Sequence, residues 1–348
     1  MKIFSIFTAL ALTCSAQIPS VGIPRLPDGH PDFQGMYDAA TLTPLERAPG
    51  SKLVLTKAEA EVVEKAMAAQ TSAGDQAIAA DRKAPPKGGD GSAGAAGNVG
   101  GYNTFWLDMG SSLTVVRGEK RASIVVDPAD GRVPPLNQKA RARIAAQRAA
   151  APTSDAQESK EPGLEPTGAY DDPERRPLGE RCILGFASTS GPPALPNYFY
   201  NNLHQIVQTK DSVMIQTEMV HDARIVRMNA EHLPKTIRSW MGDSVGHWEG
   251  DTLVIDTTNF TDKTRFRNAT ENLHVVERIS RLDAKSLLYR FTLDDPDTWD
   301  RPWTGEYAWP LTKEPMYEYA CHEANYSMSD ILRGARLREA EQAAKIKK

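Results

Sequence analysis

The chain lacks any apolar run approaching about eighteen residues, has only three cysteines, and carries no basic excess, with 41 Lys+Arg against 45 Asp+Glu over 348 residues. Without such a run no segment reads as a transmembrane helix, and the mature chain is expected to be soluble. A formal net charge of -4 excludes a strongly basic nucleic-acid binder and a polybasic membrane tether. HExxH, GxSxG, paired CxxC, P-loop and dinucleotide glycine patterns are all missing, so no motif names a reaction or a cofactor.

What is present begins with an address. Lys2 precedes the apolar run Ile3 to Leu12, followed by Thr13-Cys14-Ser15-Ala16. A short positive stretch, an apolar stretch too short to span a bilayer and small residues at the break read as a secretory signal over 1–16, cleaved near Ala16. The rival reading acylates Cys14, although Ala11-Leu12-Thr13 fits that pattern poorly. Export makes the protein secreted or periplasmic. Two cysteines then remain, Cys182 and Cys321, and in an oxidising compartment they are expected to pair.

Composition divides the rest. Residues 17–70 read as an N-terminal extension with one helix, where Thr56 and Glu59 have capping-box spacing ahead of an alanine-rich run. Residues 71–101, rich in Gly and Ala, read as a flexible linker that cannot bury enough surface to order itself. A β domain follows over 102–327, with a disordered insertion near 152–177. A second helix is expected after Pro134-Pro135 from Asn137, and a third after Ser327 gives a C-terminal helix over 328–348.

Most of the β domain reads as short runs rich in Val, Ile, Thr and aromatics: NTFWLDMG, ASIVVDP, HQIVQT, SVMIQTE, ARIVRM, DTLVIDTTNF, HVVERISRL, SLLYRFTL and GEYAWPL. Close spacing implies hairpins. The expected fold is mainly β, an antiparallel meander forming a barrel, lipocalin-like by architecture, or a sandwich, with a few peripheral helices. A parallel α/β sheet is excluded there for want of crossover helices.

One hairpin carries a conflict. Leu287, Tyr289, Phe291 and Leu293 share a face that should be internal. A three-residue turn through Asp283, Ala284 and Lys285 puts Glu277 on that face, whereas a turn longer by one puts Arg278 there. Either way a charged group sits among apolar side chains, as a ligand-facing residue or as half of an ion pair, with Arg290 a candidate partner.

His221, beside Asp222, Arg224 and Arg227, and His322-Glu323, following Cys321, are candidate catalytic groups, as is Glu306 between aromatics. An imidazole with carboxylates from other strands can move protons or ligate a divalent metal. Trp248, Trp299, Trp303 and Trp309 lie in the β region. They either fill the core or, with Tyr289 and Glu277 or Arg278, line a pocket for a flat organic ligand such as a sugar. Three Asn-x-Ser/Thr triplets, at Asn259, Asn268 and Asn325, carry no weight at this motif length.

Taken together, GHPDFQGMYDAATLTPLERAPG, GGYNTFWLDMG, SIVVDPADGRVPPL, GERCILGF, MVHDARIVRMN, WMGDSVGHWEGDTLVIDTTNFTDKT and YEYACHEANYS resemble a family of secreted bacterial proteins of unassigned function. The resemblance spans nearly all of the mature chain outside the two linkers. It implies export and a shared scaffold, with no activity to carry over. Three functions are therefore expected in competition: a secreted or periplasmic β-rich protein binding a small organic ligand; an envelope hydrolase or lyase using His221 and His322 with Glu306 or Glu323, with or without a metal; and a cell-envelope interaction protein.

Overall fold

The structure, a computed structural model, describes residues 22–74, 107–149, 170–185, 191–196, 200–264, 266–323 and 325–346. The expected signal segment, most of the 71–101 linker and residues 152–169 lie outside these.

The strands are β1 (Gly35–Asp38), β2 (Val115–Val116), β3 (Glu119–Lys120), β4 (Val125–Asp127), β5 (Leu203–Gln208), β6 (Ser212–Thr217), β7 (Ala223–Met228), β8 (Asp243–Glu249), β9 (Thr252–Thr258), β10 (His274–Arg281), β11 (Ser286–Asp294) and β12 (Trp303–Pro310). Ten of them form one curled sheet, a half-barrel, in the order β1-β5-β6-β7-β8-β9-β10-β11-β12-β4, while β2 and β3 make a separate small hairpin. The sheet bends until β1 meets the end of β12, where Tyr37 bridges Leu311 and the Thr312 amide donates to Met36 O at 2.9 Å. A single sheet curled on itself realises the barrel expectation rather than the sandwich.

Strand alternation sorts the side chains. Leu253, Ile255 and Thr257 of β9, Val275 and Ile279 of β10, and Leu287, Tyr289, Phe291 and Leu293 of β11 are all buried inside. Their outward neighbours are mostly polar or half-exposed, with Val254 and Leu288 buried on the outer side. Gly305 faces Phe291 across the β11–β12 ladder, and a Cβ there would enter the space of the Phe291 ring. Gly305→Ala is expected to overpack the interior and lower stability by about 1–3 kcal/mol, read as a lower urea midpoint with an unchanged slope.

Three features correct the sequence reading. β7 and β8 run parallel, joined by the helix-free connection 229–242, so the sheet is not a pure antiparallel meander. Strand β8 was not expected, because DSVGHWE is polar and interrupted by glycine. It fits because a Cβ at Gly246 would meet Val226 Cγ1 at 2.8 Å and Met228 Sδ at 3.0 Å, so only glycine admits this close strand approach. Of the expected strand NTFWLDMG, the described part, 107–110, is not a strand. There Gly110, at φ +78, packs on the Thr41 backbone.

The helices α1 (Lys57–Gly74), α2 (Gln138–Ala149) and α3 (Tyr326–Ile346) are peripheral. The expected capping box opens α1: Thr56 N donates to Glu59 Oε2 at 2.7 Å and Glu59 N to Thr56 Oγ1 at 3.3 Å. Asn137 caps α2, its Oδ1 accepting from Ala140 N at 2.9 Å. α1 continues to Gly74, past the expected linker start at 71. At the end of the expected disordered insertion, Pro173–Arg175 form a short 3-10 turn, and the buried Arg176 pairs with Glu180 at 2.7 Å. Among the described residues no helix is long and apolar enough to cross a membrane.

The segment before β1 covers one end of the half-barrel. Phe33 N donates to Gln208 Oε1 at 3.0 Å, Tyr37 OH to Phe33 O at 2.9 Å, and Arg281 Nε to Asp32 O at 3.0 Å. His30 lies flat on Trp248, with ring centroids 4.4 Å apart.

Candidate functional site

The β10–β11 turn decides the fate of Glu277. Leu282 N bonds Ser286 O at 3.0 Å across a three-residue loop, which pairs Glu277 with Phe291 and turns its carboxylate inward. Its partner is Arg224 of β7, not Arg290: NH1–Oε2 is 2.6 Å and NH2–Oε1 2.7 Å. Tyr289 OH donates to Glu277 Oε1 at 2.7 Å, and Arg224 also reaches Ser244 Oγ at 3.3 Å. Burial opposes the charge on Arg224, but the Glu277 carboxylate outweighs it and raises the guanidinium pKa. Burial, then Glu277, pushes the Tyr289 phenol well above its usual range.

This polar core is roofed by aromatics and by the chain itself. His204 and Tyr289 stack on Trp309, at centroid distances of 4.6 and 4.4 Å. His204 Nδ1 sits 3.1 Å from Thr217 Oγ1, and burial, with Arg224 nearby, pushes its pKa down to about 3, so the ring is neutral. The buried segment 191–196 closes over them: Ala194 N donates to Tyr289 OH at 2.8 Å, and its carbonyl accepts from Tyr307 OH at 3.1 Å. Glu277, Tyr289 and Trp303 are each wholly buried.

The other expected residues scatter. Trp303 is wholly buried against Phe291 and Trp299, and Trp248 is half-buried under His30. Arg278 points outward to Glu249 at 2.7 Å. Glu306 is buried on the outer side of β12, held by Arg290 at 2.8 Å and Arg121 at 3.7 Å. His322 and Glu323 are exposed beside the disulfide. Cys182 and Cys321 do pair, with Cα atoms 5.7 Å apart.

His221 stands elsewhere, at a concave place on the outer face of the sheet. Gln205 of β5 and Gln216 of β6 are direct cross-strand partners with outward amides. After β12 the chain returns over this face as an extended strap, 312–320. Between strap and sheet lies an open groove of about 540 Å³ lined by Gln205, Gln216, His221, Met316, Tyr317 and Glu318.

Beyond the Thr312–Met36 bond, the strap is tied down further along its length. Tyr317 N donates to Glu218 Oε1 at 3.0 Å, Tyr319 N donates to His221 Nε2 at 2.6 Å, and Cys321 is bonded to Cys182. To offer its imidazole here the chain bends through Val220 at φ 62 and His221 at φ 55. A left-handed β-branched valine is unfavourable by about 1–3 kcal/mol and persists only where its surroundings impose it. With Nε2 accepting from the strap, a neutral His221 carries its proton on Nδ1 and presents a donor.

The same face is acidic. Asp38, at the end of β1 and paired with Leu203 of β5, has its pKa pushed up to about 6 by burial first, with Asp108, Glu314 and Glu218 adding to the effect. Among the described residues no group of three or more His, Cys, Asp or Glu is placed to hold a metal ion.

Gln205, Gln216, Glu218, Tyr317 and Asp38 were not singled out in the sequence. The available signal was indirect: the strand pattern breaks at MVHD, and YEYACHE is tied down by a disulfide. No family model, curated protein or solved structure matches the chain, so what the groove does is argued from its own residues.

Proposed function

We propose that the protein is an exported binding protein, secreted or periplasmic, that takes a small polar organic ligand in the groove between β5–β6 and the strap. The observation that carries this is the lining: two glutamines, a histidine, a methionine, a tyrosine and a glutamate border one concavity, with Tyr317 69 % exposed. Hydrogen-bonding groups that alternate donors and acceptors beside an aromatic ring suit hydroxylated rings such as sugars. The disulfide supports export, since such bonds persist in oxidising compartments.

The rival reading, an envelope hydrolase or lyase working through His221, is favoured by the raised pKa of Asp38, which would suit an acid near neutral pH. It is opposed by the engaged Nε2 lone pair, since His221 cannot accept a proton there without releasing Tyr319. The same strap bond positions a donor for binding without further change.

Saturation-transfer NMR with mono- and disaccharides, followed by calorimetry, tests the proposal. A bound sugar should lose about tenfold or more in affinity, near 1.4 kcal/mol, on Gln216→Ala or Tyr317→Ala. Glu249→Ala, remote from the groove, should leave binding unchanged. Turnover of a bound compound with a pH profile that shifts in His221→Gln would establish the enzyme instead.

A further inference from the structure

A second polar constellation crosses the outer face away from the groove, and each of five neighbouring strands contributes a charged or ionisable group to it or beside it. Arg227 of β7 bonds Asp243 of β8 at 2.9 and 3.1 Å. His232, on the 229–242 connection, places Nδ1 3.0 Å from Asp243 Oδ2 and Nε2 3.1 Å from Asp256 Oδ1 of β9. His274 of β10 places Nε2 2.9 Å from Asp256 Oδ2, and Asp294 of β11 acts on His274 through space.

His232 is the only link in this row supplied by the connection's side chains. The backbone beside it follows: Leu233 N donates to Asp243 Oδ2 at 2.8 Å, and Leu233 O accepts from Asn259 Nδ2 at 2.9 Å. The far end of the connection has its own tie, Arg238 NH1 bonding Phe260 O and Glu271 O at 2.9 Å each, with Glu271 Oε2 3.6 Å from Arg238 Nε. No imidazole takes part there.

We propose that this row is a proton-operated clasp: charged His232 fastens the β7–β8 connection to the sheet through both carboxylates, and neutral His232 releases one of them and loosens that end. The reason is stoichiometric. A neutral imidazole has one N–H and can donate to one carboxylate; only the imidazolium donates to two. The lone pair of the second nitrogen would otherwise face Asp243 or Asp256 at hydrogen-bond distance.

His274 shares the Asp256 carboxylate with His232. Its bond to Asp256, then the through-space effect of that carboxylate, raises its pKa against partial burial. A raised folded-state value means that its stabilisation is complete below about pH 6.5, the ordinary imidazole value, and is lost as pH rises through the higher folded one. Asp243 and Asp256 are both lowered, burial opposing and their hydrogen-bond partners prevailing, so both stay ionised across that window. The direction of the clasp follows from its donors: the two-donor imidazolium is the acid form, so acid closes the clasp and alkali loosens it.

Hydrogen exchange of the full chain, corrected for intrinsic rates, should show protection of the Leu233 amide falling about tenfold between roughly pH 5.5 and 8.5, while Asn229, bonded to Gly246 O, changes little. Residues near Arg238 and the β10–β11 ladder should change little. His232→Gln should show low protection at both pH values. Ring nitrogen NMR on the unaltered protein gives an independent readout: both His232 nitrogens should be protonated at the lower pH, and the proton should leave as protection falls. Protection that is flat with pH, or that falls equally in His232→Gln, or a single-proton His232 at the lower pH, would overturn the clasp.

Discussion

Glu277→Leu is expected to lower the unfolding free energy by about 3–5 kcal/mol. The carboxylate is fully buried and bidentate to Arg224, which is itself only 6 % exposed, so the variant leaves a guanidinium inside the half-barrel with Ser244 Oγ as its remaining neutral partner. Tyr289 loses the acceptor for its hydroxyl in the same step. Most of the penalty belongs to the stranded charge rather than to the lost attraction, because desolvation has already cancelled much of the Coulombic gain in a buried pair. The double variant Glu277→Leu/Arg224→Met should therefore be far more stable than Glu277→Leu alone. Urea unfolding at neutral pH reads all three proteins. If the double variant were destabilised by the sum of the two single changes, the pair would be contributing net attraction and the desolvation argument would fail.

That pair also shows where the sequence was legible. Period-two alternation on β11 marked the internal face and narrowed its charged occupant to Glu277 or Arg278, and only the observed three-residue turn at Asp283-Ala284-Lys285 selects Glu277. The partner was not legible. In ARIVRM, Arg224 and Val226 share one face while Ile225 and Arg227 share the other, so each face offers one apolar and one charged residue. Only the sheet reveals that Ile225 is the exposed one, 53 % accessible, with Arg224 inside.

Strand β8 was hidden for a related reason: Gly246, where a Cβ would meet Val226 and Met228, looks like a turn former in the chain. Tryptophans posed a choice between packing and pocket, and for Trp303 and Trp309 the curvature of the sheet decided for packing. Gln205 and Gln216 are ordinary outward-facing strand residues until the strap returns over them, some hundred residues later in the chain. Local patterns thus reported which way a strand faces, whereas the groove and the clasp arise from contacts between distant segments.

Removing the Cys182–Cys321 bond is expected to produce the other large effect and to separate scaffold from site. The bond closes a loop with a sequence separation of 139, for which chain entropy alone gives an upper estimate of about 5 kcal/mol. Cys182→Ala/Cys321→Ala should therefore approach that loss, and the unaltered protein in a dithiol reductant should approach the same value. The bond also fixes the end of the strap that walls the groove, two residues beyond the Tyr319 amide held by His221. With it cut, the near end of the strap keeps its Thr312–Met36 bond while the far end depends on Glu218 and His221 against its regained freedom, so protection of 313–320 from hydrogen exchange should fall before the half-barrel opens. A sugar bound in the groove should weaken together with that protection, while fluorescence of the tryptophan core stays native until the global transition. A variant within about 1 kcal/mol of the parent would mean that the unfolded chain is already compact across this loop. Loss of core fluorescence in step with the strap would mean that strap and half-barrel unfold as one unit, and the groove would then have no mobile wall of its own.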